Sequence, residues 1–297
     1  MTQILTAFVS FVEMLRALAH HVPGLRALAE QPFLFRPLLL LIVLGLVSGA
    51  VGTLVNLRKL EFNAEAMVHS VFPGIVAGFV IGGSDMILPG AAVVAVFVVI
   101  ALTIVSRTPS NHEGGTAVVL TGFFALGITL SLRKGDMSGQ LEALMFGRLL
   151  EVTDSKLLQS LVVCVLALVL LALTWKENVL VAHDREGAAA MGINVALVDV
   201  IINVAIAAVV VSASSAIGVL LVIAYLVVPG AAGRLVAPTA NRMALVASLL
   251  AIVAGWGGLH IALAPWPHPV SPQASVVLTL IALFGACIPV SLMKRGR

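Results

Sequence analysis

Glu61, Glu65 and His69 stand at four-residue intervals in the segment EFNAEAMVHSVFPG, residues 61–74. On a helix, positions i, i+4 and i+8 share one narrow face. Two carboxylates and an imidazole on one stripe form a mixed oxygen and nitrogen donor set that suits Zn²⁺ or Mn²⁺. Glu65 and His69 are the stronger pair. Glu61 adjoins Arg58 and Lys59 and fits better as a carboxylate at the start of a helix near a membrane boundary. Only two or three ligands come from this stripe, so a metal here needs others from neighbouring helices, a second copy or water. That suits an ion in transit, because a closed four-ligand site would hold its metal too tightly. An internal ion pair or a hydrogen-bonded core histidine is the competing reading of the same residues.

The surroundings make such a stripe costly. The chain has 297 residues, is 60% hydrophobic and 10% charged, and has a mean hydropathy of +1.13. Soluble domains carry about 25% charged residues, so this is the composition of an all-α, polytopic membrane protein. A charged residue at a membrane-helix centre costs about 2.5–3.5 kcal/mol on insertion scales, and polar groups at that depth need a reason. The net charge of +3 and pI of 9.2 do not point to nucleic acid. The Lys and Arg residues fall in short gaps between apolar runs, where they set topology.

Apolar runs of about the 20 residues needed to cross a bilayer occur near 38–57, 62–81, 87–106, 116–132, 157–175, 196–211, 217–236, 243–264 and 274–292. This predicts eight or nine transmembrane helices. Gln140 to Leu150 is too short to cross and reads as a re-entrant or interfacial helix. Residues 1–31 carry Glu13, Arg16, His20, His21 and Arg26, with no uninterrupted apolar core; they read as an amphipathic interfacial segment rather than a cleavable signal. Residues 32–297 then form the transmembrane domain. If the first span runs from outside to inside, ten Lys and Arg residues lie inside and seven outside, or ten against four after that span. The C-terminal KRGR is then cytoplasmic, in a multi-pass protein of a cell membrane.

The longest polar interruption, between Trp175 and Val198, falls on the cytoplasmic side. Within it Asp184, Arg185 and Glu186 precede GAAAMG, predicting a short helix capped by Asp184 and ended by Gly192. Such a helix is either a plain connector or a dock for a motor subunit. Pro73-Gly74 and Pro229-Gly230 predict helix breaks. His260 is a weaker candidate for the same path as Glu65 and His69. Asp199 and Asn203 share a face but fit a cap or a snorkelling group, and Ser212, Ser214 and Ser215 fit backbone satisfaction at a helix end. Tyr225 either lines a path or bonds across helices. His112, Glu113 and His183 read as solvated loop residues, and His268 as an outer-loop residue able to assist metal capture. Cys164 and Cys287 lie in apolar runs, with no CxxC or Cys/His cluster, which excludes a disulfide framework or structural zinc. No GxxxxGK[ST], GxSxG or HExxH is present, so the chain has neither a Walker phosphate loop nor a recognisable hydrolase site.

Four blocks together carry a family resemblance. Arg58-Lys59 followed by Glu65-Ala66-Met67-Val68-His69-Ser70-Val71-Phe72-Pro73-Gly74 resembles a basic pair and D-A-x-x-H-x-x-x-P-G. LMFGRLLEVTD (144–154), HDREGAAAMGI (183–193) and GVLLVIAYLVVPGAAGRL (218–235) follow in the same order. They resemble the permease subunits of zinc, manganese and iron ABC importers over about residues 32–292. Glu65 replaces the family's Asp, and Gly230 and Gly233 replace alanines. PWPHPVSP (265–272) stands where the family has a late acidic segment.

The resemblance implies a type II ABC importer-like permease, not itself an enzyme. It would form a homodimer in the lipid bilayer and move a divalent metal without a tightly bound cofactor. Two copies of a cytoplasmic ATPase would bind ATP and dock on the coupling segment Asp184, Arg185, Glu186, Ala188 and Gly192. An extracytoplasmic binding protein would deliver the metal to Glu65 and His69. Zinc is set slightly ahead of manganese, although no ligand chemistry here separates the two. The rival classes are an ion- or proton-coupled secondary transporter, a non-transporting membrane scaffold and the permease of a metal-chelate or siderophore importer.

Overall fold

The computed structural model describes residues 2–105, 112–132, 147–268 and 270–295. Arg107, Arg133, Lys134, Arg297 and most of Gln140 to Leu150 lie outside the described residues, as do the side chains of His112, Ser215, Lys294 and Arg295. Among the described residues every regular element is a helix, and nine segments are long and apolar enough to cross a bilayer.

Two helices precede these segments, α1 (Thr2–Ala19) and α2 (Arg26–Ala29). α1 packs Phe8, Val12, Leu15 and Ala19 against the protein and leaves Phe11, Met14 and Leu18 exposed. The spans are α3 (Pro32–Leu57), the pair α4 (Glu61–Ser70) and α5 (Phe72–Gly82), α6 (Ile87–Val105), α7 (His112–Leu132) and α8 (Asp154–Leu173). After α9 (Trp175–His183) and α10 (Arg185–Ala190) come α11 (Val195–Ile217), α12 (Val219–Val236), α13 (Ala240–Leu263) and α14 (Pro272–Arg295). Polar side chains at the span boundaries start several of them. Thr153 Oγ1 accepts from the Lys156 amide, Asn194 Oδ1 from Leu197 and Thr239 Oγ1 from Arg242, each satisfying one of the free amides at a helix N-terminus.

α3 is the central post, packed against α8, α12 and α13. Lipid offers helices little hydrophobic drive to associate, so close backbone approach through small residues takes its place. A Cβ at Gly52 would lie 2.4 Å from the Leu226 carbonyl oxygen, and one at Gly230 would lie 2.3 Å from that of Gly52. Gly49 meets the Ser248 backbone in the same way, its Cβ 2.6 Å from that amide nitrogen.

α11 and α12 form a hairpin around Gly218. Asp199 near the start of α11 and Arg234 near the end of α12 both reach the Asn56–Arg58 end of α3, so the chain reverses between them. Gly218 adopts φ 82°, a conformation costly for a residue with a Cβ. The expected break at Pro229-Gly230 is absent, since α12 runs through both. A proline within a membrane helix is tolerated when neighbouring helices re-satisfy the freed backbone group. Gly230 instead provides the close contact with α3.

Gly230→Ala should therefore destabilise the protein by about 1–3 kcal/mol through overpacking. Gly285→Ala, where nothing lies within 4 Å, should stay within about 0.5 kcal/mol. Thermal unfolding in detergent compares the two, and equal melting temperatures would contradict the contact.

Candidate functional site

The site helix α4 begins immediately after α3 turns back. Arg58 ends α3, Lys59 takes φ 55° and Leu60 leads into Glu61. Glu61 is half-buried in the first turn of α4, where a carboxylate is favoured by the helix dipole, and accepts from Asn56 Nδ2 at 3.2 Å. It is thus held at the boundary. Asn63, Ala64, Ala66, Met67, Val68 and Ser70 are buried. The uncovered positions are Phe62, Glu65 and His69, at i, i+3 and i+7, with Glu65 exposed and His69 half-buried.

At a rise of 1.5 Å per residue, Glu65 lies about 6 Å and His69 about 12 Å along the helix from Glu61. Both distances are short of the roughly 30 Å of a hydrocarbon core, in a segment, Glu61–Gly82, long and apolar enough to cross it. Among the described residues Glu65 has no hydrogen-bond or ion-pair partner. His69 stacks edge-on against Phe124 of α7, ring centroids 5.6 Å apart, and Phe124 also meets Phe72 at 5.5 Å. Val71 separates α4 from α5, and Pro73 occupies the second position of α5, where its missing amide hydrogen costs no helical bond. No group of three or more His, Cys, Asp or Glu able to hold a metal exists among the described residues. One chain therefore brings a carboxylate and an imidazole to this face and leaves the coordination incomplete.

Below α4 lies a charged cluster that sequence reasoning missed. Asp199 was expected to cap or snorkel, but its side chain is 4% exposed and is shared by two arginines. Arg58 Nη2 donates to its Oδ1. Arg185 donates from Nη1 to Oδ1 at 3.1 Å and from Nη2 to Oδ2 at 2.5 Å. Arg58 also donates to Asn178 Oδ1 at 3.3 Å. Burial lowers the Arg58 pKa, opposed by the attraction and hydrogen bond of Asp199, and a guanidinium remains charged through such a shift. Arg234 of α12 completes the junction by donating to the backbone oxygen of Asn56 at 3.0 Å and to its Oδ1 at 3.2 Å. The signal was present in the sequence as an acidic residue inside an apolar run and a basic pair at the end of another, which default to a paired functional hypothesis.

Asp184 accepts from the Gly187 amide at 2.8 Å and caps α10, and Gly192 follows the helix at φ 84°. Ala188 is buried with Val181 and Val198 in a small separate core, whereas Glu186 and Met191 are exposed. His260 does not join Glu65 and His69. It lies on α13, whose packing partners are α3, α12 and α14, and stacks on Trp256, itself bonded to the Gly24 carbonyl at 2.8 Å. Tyr225 is buried and donates to the Ala251 carbonyl at 3.1 Å. Ser212 bonds the backbone of Val209 and Asn203 bonds Thr103. Glu113, His183 and His268 are exposed, and both cysteines are free and buried.

The model of the ABC 3 transport family matches residues 30–289. The chain belongs to this family. Among its ABC 3 relatives, the manganese import system permease protein ScaB of Streptococcus gordonii is 30% identical over 262 residues, covering 88% of this chain and 92% of the relative. The manganese transport system membrane protein MntC of Listeria monocytogenes is 28% identical over 261 residues, covering 88% and 91%. The chelated iron transport system membrane protein YfeD of Yersinia pestis is 29% identical over 224 residues, covering 75% and 74%.

In structure, PsaBC of Streptococcus pneumoniae, solved with a Fab, matches with a TM-score of 0.77 at 28% identity, over 89% of this chain and 94% of the other. A transporter assigned to the metal-chelate ABC type, in an inward-facing conformation, matches with a TM-score of 0.70 over 97% and 99%. At 15% identity that second likeness speaks to the fold alone. The permease of an ABC 3 transporter is a multi-pass membrane protein, and the helical fold found here is that of metal importer permeases.

Tyr225→Phe separates packing from path lining. Loss of the bond to Ala251 should cost about 0.5–1.5 kcal/mol of stability while leaving transport by the assembled complex within about twofold. A collapse of transport at unchanged stability would place the hydroxyl on the path.

Proposed function

We propose that this chain is the membrane-spanning permease of an ATP-driven importer of divalent transition-metal ions, with manganese as the foremost cargo. Two copies line the translocation path with Glu65 and His69 from each. The observation that carries this reading is the position of Glu65, exposed beside Phe62 on a helix most of whose residues are buried, in a segment long and apolar enough to cross a bilayer. A carboxylate facing lipid there is costly, whereas one facing a second copy across a water-filled path is functional. The coverage of the neighbouring helix supports the same face. Only 17% of the apolar window of α7 is buried within the chain, against 72% for α3.

The relatives named as manganese permeases support manganese over zinc as the cargo. Mixed carboxylate and imidazole ligation suits Mn²⁺, and two ligands per chain leave the ion free to move on. ATP is bound and hydrolysed by a partner subunit docked at Asp184 to Gly192, where Met191 is 64% exposed on a helix whose other face is held by its own small core. The excess of basic residues supports a cytoplasmic side for that segment and the C-terminus. A binding protein delivers the metal from the opposite side.

The test is uptake of Mn²⁺ by proteoliposomes holding the whole complex. Glu65→Ala and His69→Ala should each lower uptake by about a hundredfold or more while the complex assembles normally, as for a lost group that acts in the transported state. Glu61→Gln, at the boundary, should keep most of it. Normal uptake by an assembled double variant at 65 and 69 would sink the reading, and uptake without the ATPase would favour a secondary transporter.

A further inference from the structure

The charged cluster at the cytoplasmic end of α4 joins three things that an importer of this kind must connect. α10 carries the docking segment, and its Ala188 shares a small apolar core with Val181 of α9 and Val198 of α11. A push on α10 is therefore passed to its surroundings instead of being absorbed locally. Arg185 of α10 grips both oxygens of Asp199, and Arg58 holds the same carboxylate from the end of α3. Only Lys59 and Leu60 separate Arg58 from the first residue of α4. On the other side, Arg234 and Asn56 hold the same turn through Glu61.

The two arginines differ in a way that matters. Arg58 is buried, its side chain 6% exposed, and depends on Asp199 for its counter-charge. Arg185 is 49% exposed, so its guanidinium meets water when it leaves the carboxylate, while Asp199 keeps Arg58 as its counter-charge. Asp199 therefore keeps one permanent cation and one exchangeable one. This is the arrangement of a two-state contact, which is the physical requirement for passing a signal between sites.

We propose that Asp199 is the positioning residue that transmits movement of the docking segment to α4, through Arg185 on one side and Arg58 on the other, and so sets the position of Glu65 and His69. The proposal rests on the reading above that Asp184 to Gly192 docks an ATPase and that α4 lines the metal path. Asp199 itself is buried and lies outside both the docking segment and α4.

The experiment measures ATP hydrolysis and Mn²⁺ uptake in the same proteoliposomes of the complete complex. In Asp199→Asn, hydrolysis should stay within about twofold while Mn²⁺ moved per ATP falls by about tenfold, the size of a typical coupling effect; Arg185→Gln, which lies in the docking segment itself, should lower the same ratio whatever its rate of hydrolysis. Arg185→Lys, which keeps the charge but loses the paired bonds, should fall between, and it carries the test if the Gln variant fails to assemble. A second readout needs no metal. Spin labels on Phe62→Cys, with both native cysteines replaced, report the distance between the two α4 helices with and without an ATP analogue. That distance should change in the otherwise native complex and stay fixed in Asp199→Asn.

An unchanged ratio of Mn²⁺ to ATP in both variants would overturn the proposal. So would a defect in Arg185→Gln alone, which would put Arg185 on the ATPase, or a label distance that still responds in Asp199→Asn. If the native complex hydrolyses ATP without moving Mn²⁺, the metal-path reading fails instead, and the label distances still decide the link.

Discussion

A carboxylate with 4% of its side chain exposed, in the second turn of a membrane helix, is costly to bury unless cations meet it. Asp199 has two, and both come from elements distant in sequence. That requirement fixes the end of α3 against α11 and ties α10 to both. It also accounts for the left-handed turn at Lys59, which reverses the chain while Arg58 stays with its counter-ion. Removing one partner of such a buried cluster strands a charge in a medium that solvates it poorly, so the arrangement is specific in a way that apolar packing alone is not. The helix that presents Glu65 and His69 starts from this fixed point.

The two sides of the molecule are built on different principles. Around α3 the contacts run through glycine, with Gly52 and Gly230 bringing two helix backbones together, and such interfaces have little room for graded motion. Around α4 and α7 the contacts include aromatic rings, Phe124 against both His69 and Phe72, and one face of α7 is largely uncovered. Ring contacts can slide and re-form as helices tilt, whereas backbone contacts through glycine cannot without separating. A fixed frame carrying a more loosely held pair of helices is what a path that opens alternately to each side requires.

Much of this was legible in the sequence, and for identifiable reasons. The nine apolar runs became nine spans because bilayer thickness imposes a length that composition alone reveals. Asp184 and Gly192 marked α10 because caps are local chemistry. The division of the acidic stripe was visible in part, since Glu61 lies beside Arg58 and Lys59. What sequence reasoning missed depends on pairing across the chain. Asp199 looked like a boundary residue because Arg58 is 141 positions away, and periodicity carries no information about that contact. Pro229 and Gly230 looked like a break because their local preference is against a helix. The packing of α12 on α3 overrides that preference. His260 could not be separated from the path residues without knowing that α13 packs on α3, α12 and α14.

The incompleteness of the Glu65 and His69 pair is itself informative. A carrier must bind its ion strongly enough to replace part of its water shell and weakly enough to let it go, a balance that multiple weak contacts achieve better than one closed shell. In the proposed dimer, two donors from each chain would leave that balance to the second copy and to water, so affinity would be set by how closely the two α4 helices approach. Glu65 is longer by one methylene than the aspartate of the family motif, and the added torsion widens the range of separations over which its oxygens reach a shared ion. In the proposed dimer, the tightness of the site becomes a function of helix position, and helix position is governed at the foot of α4, where Arg58 meets Asp199.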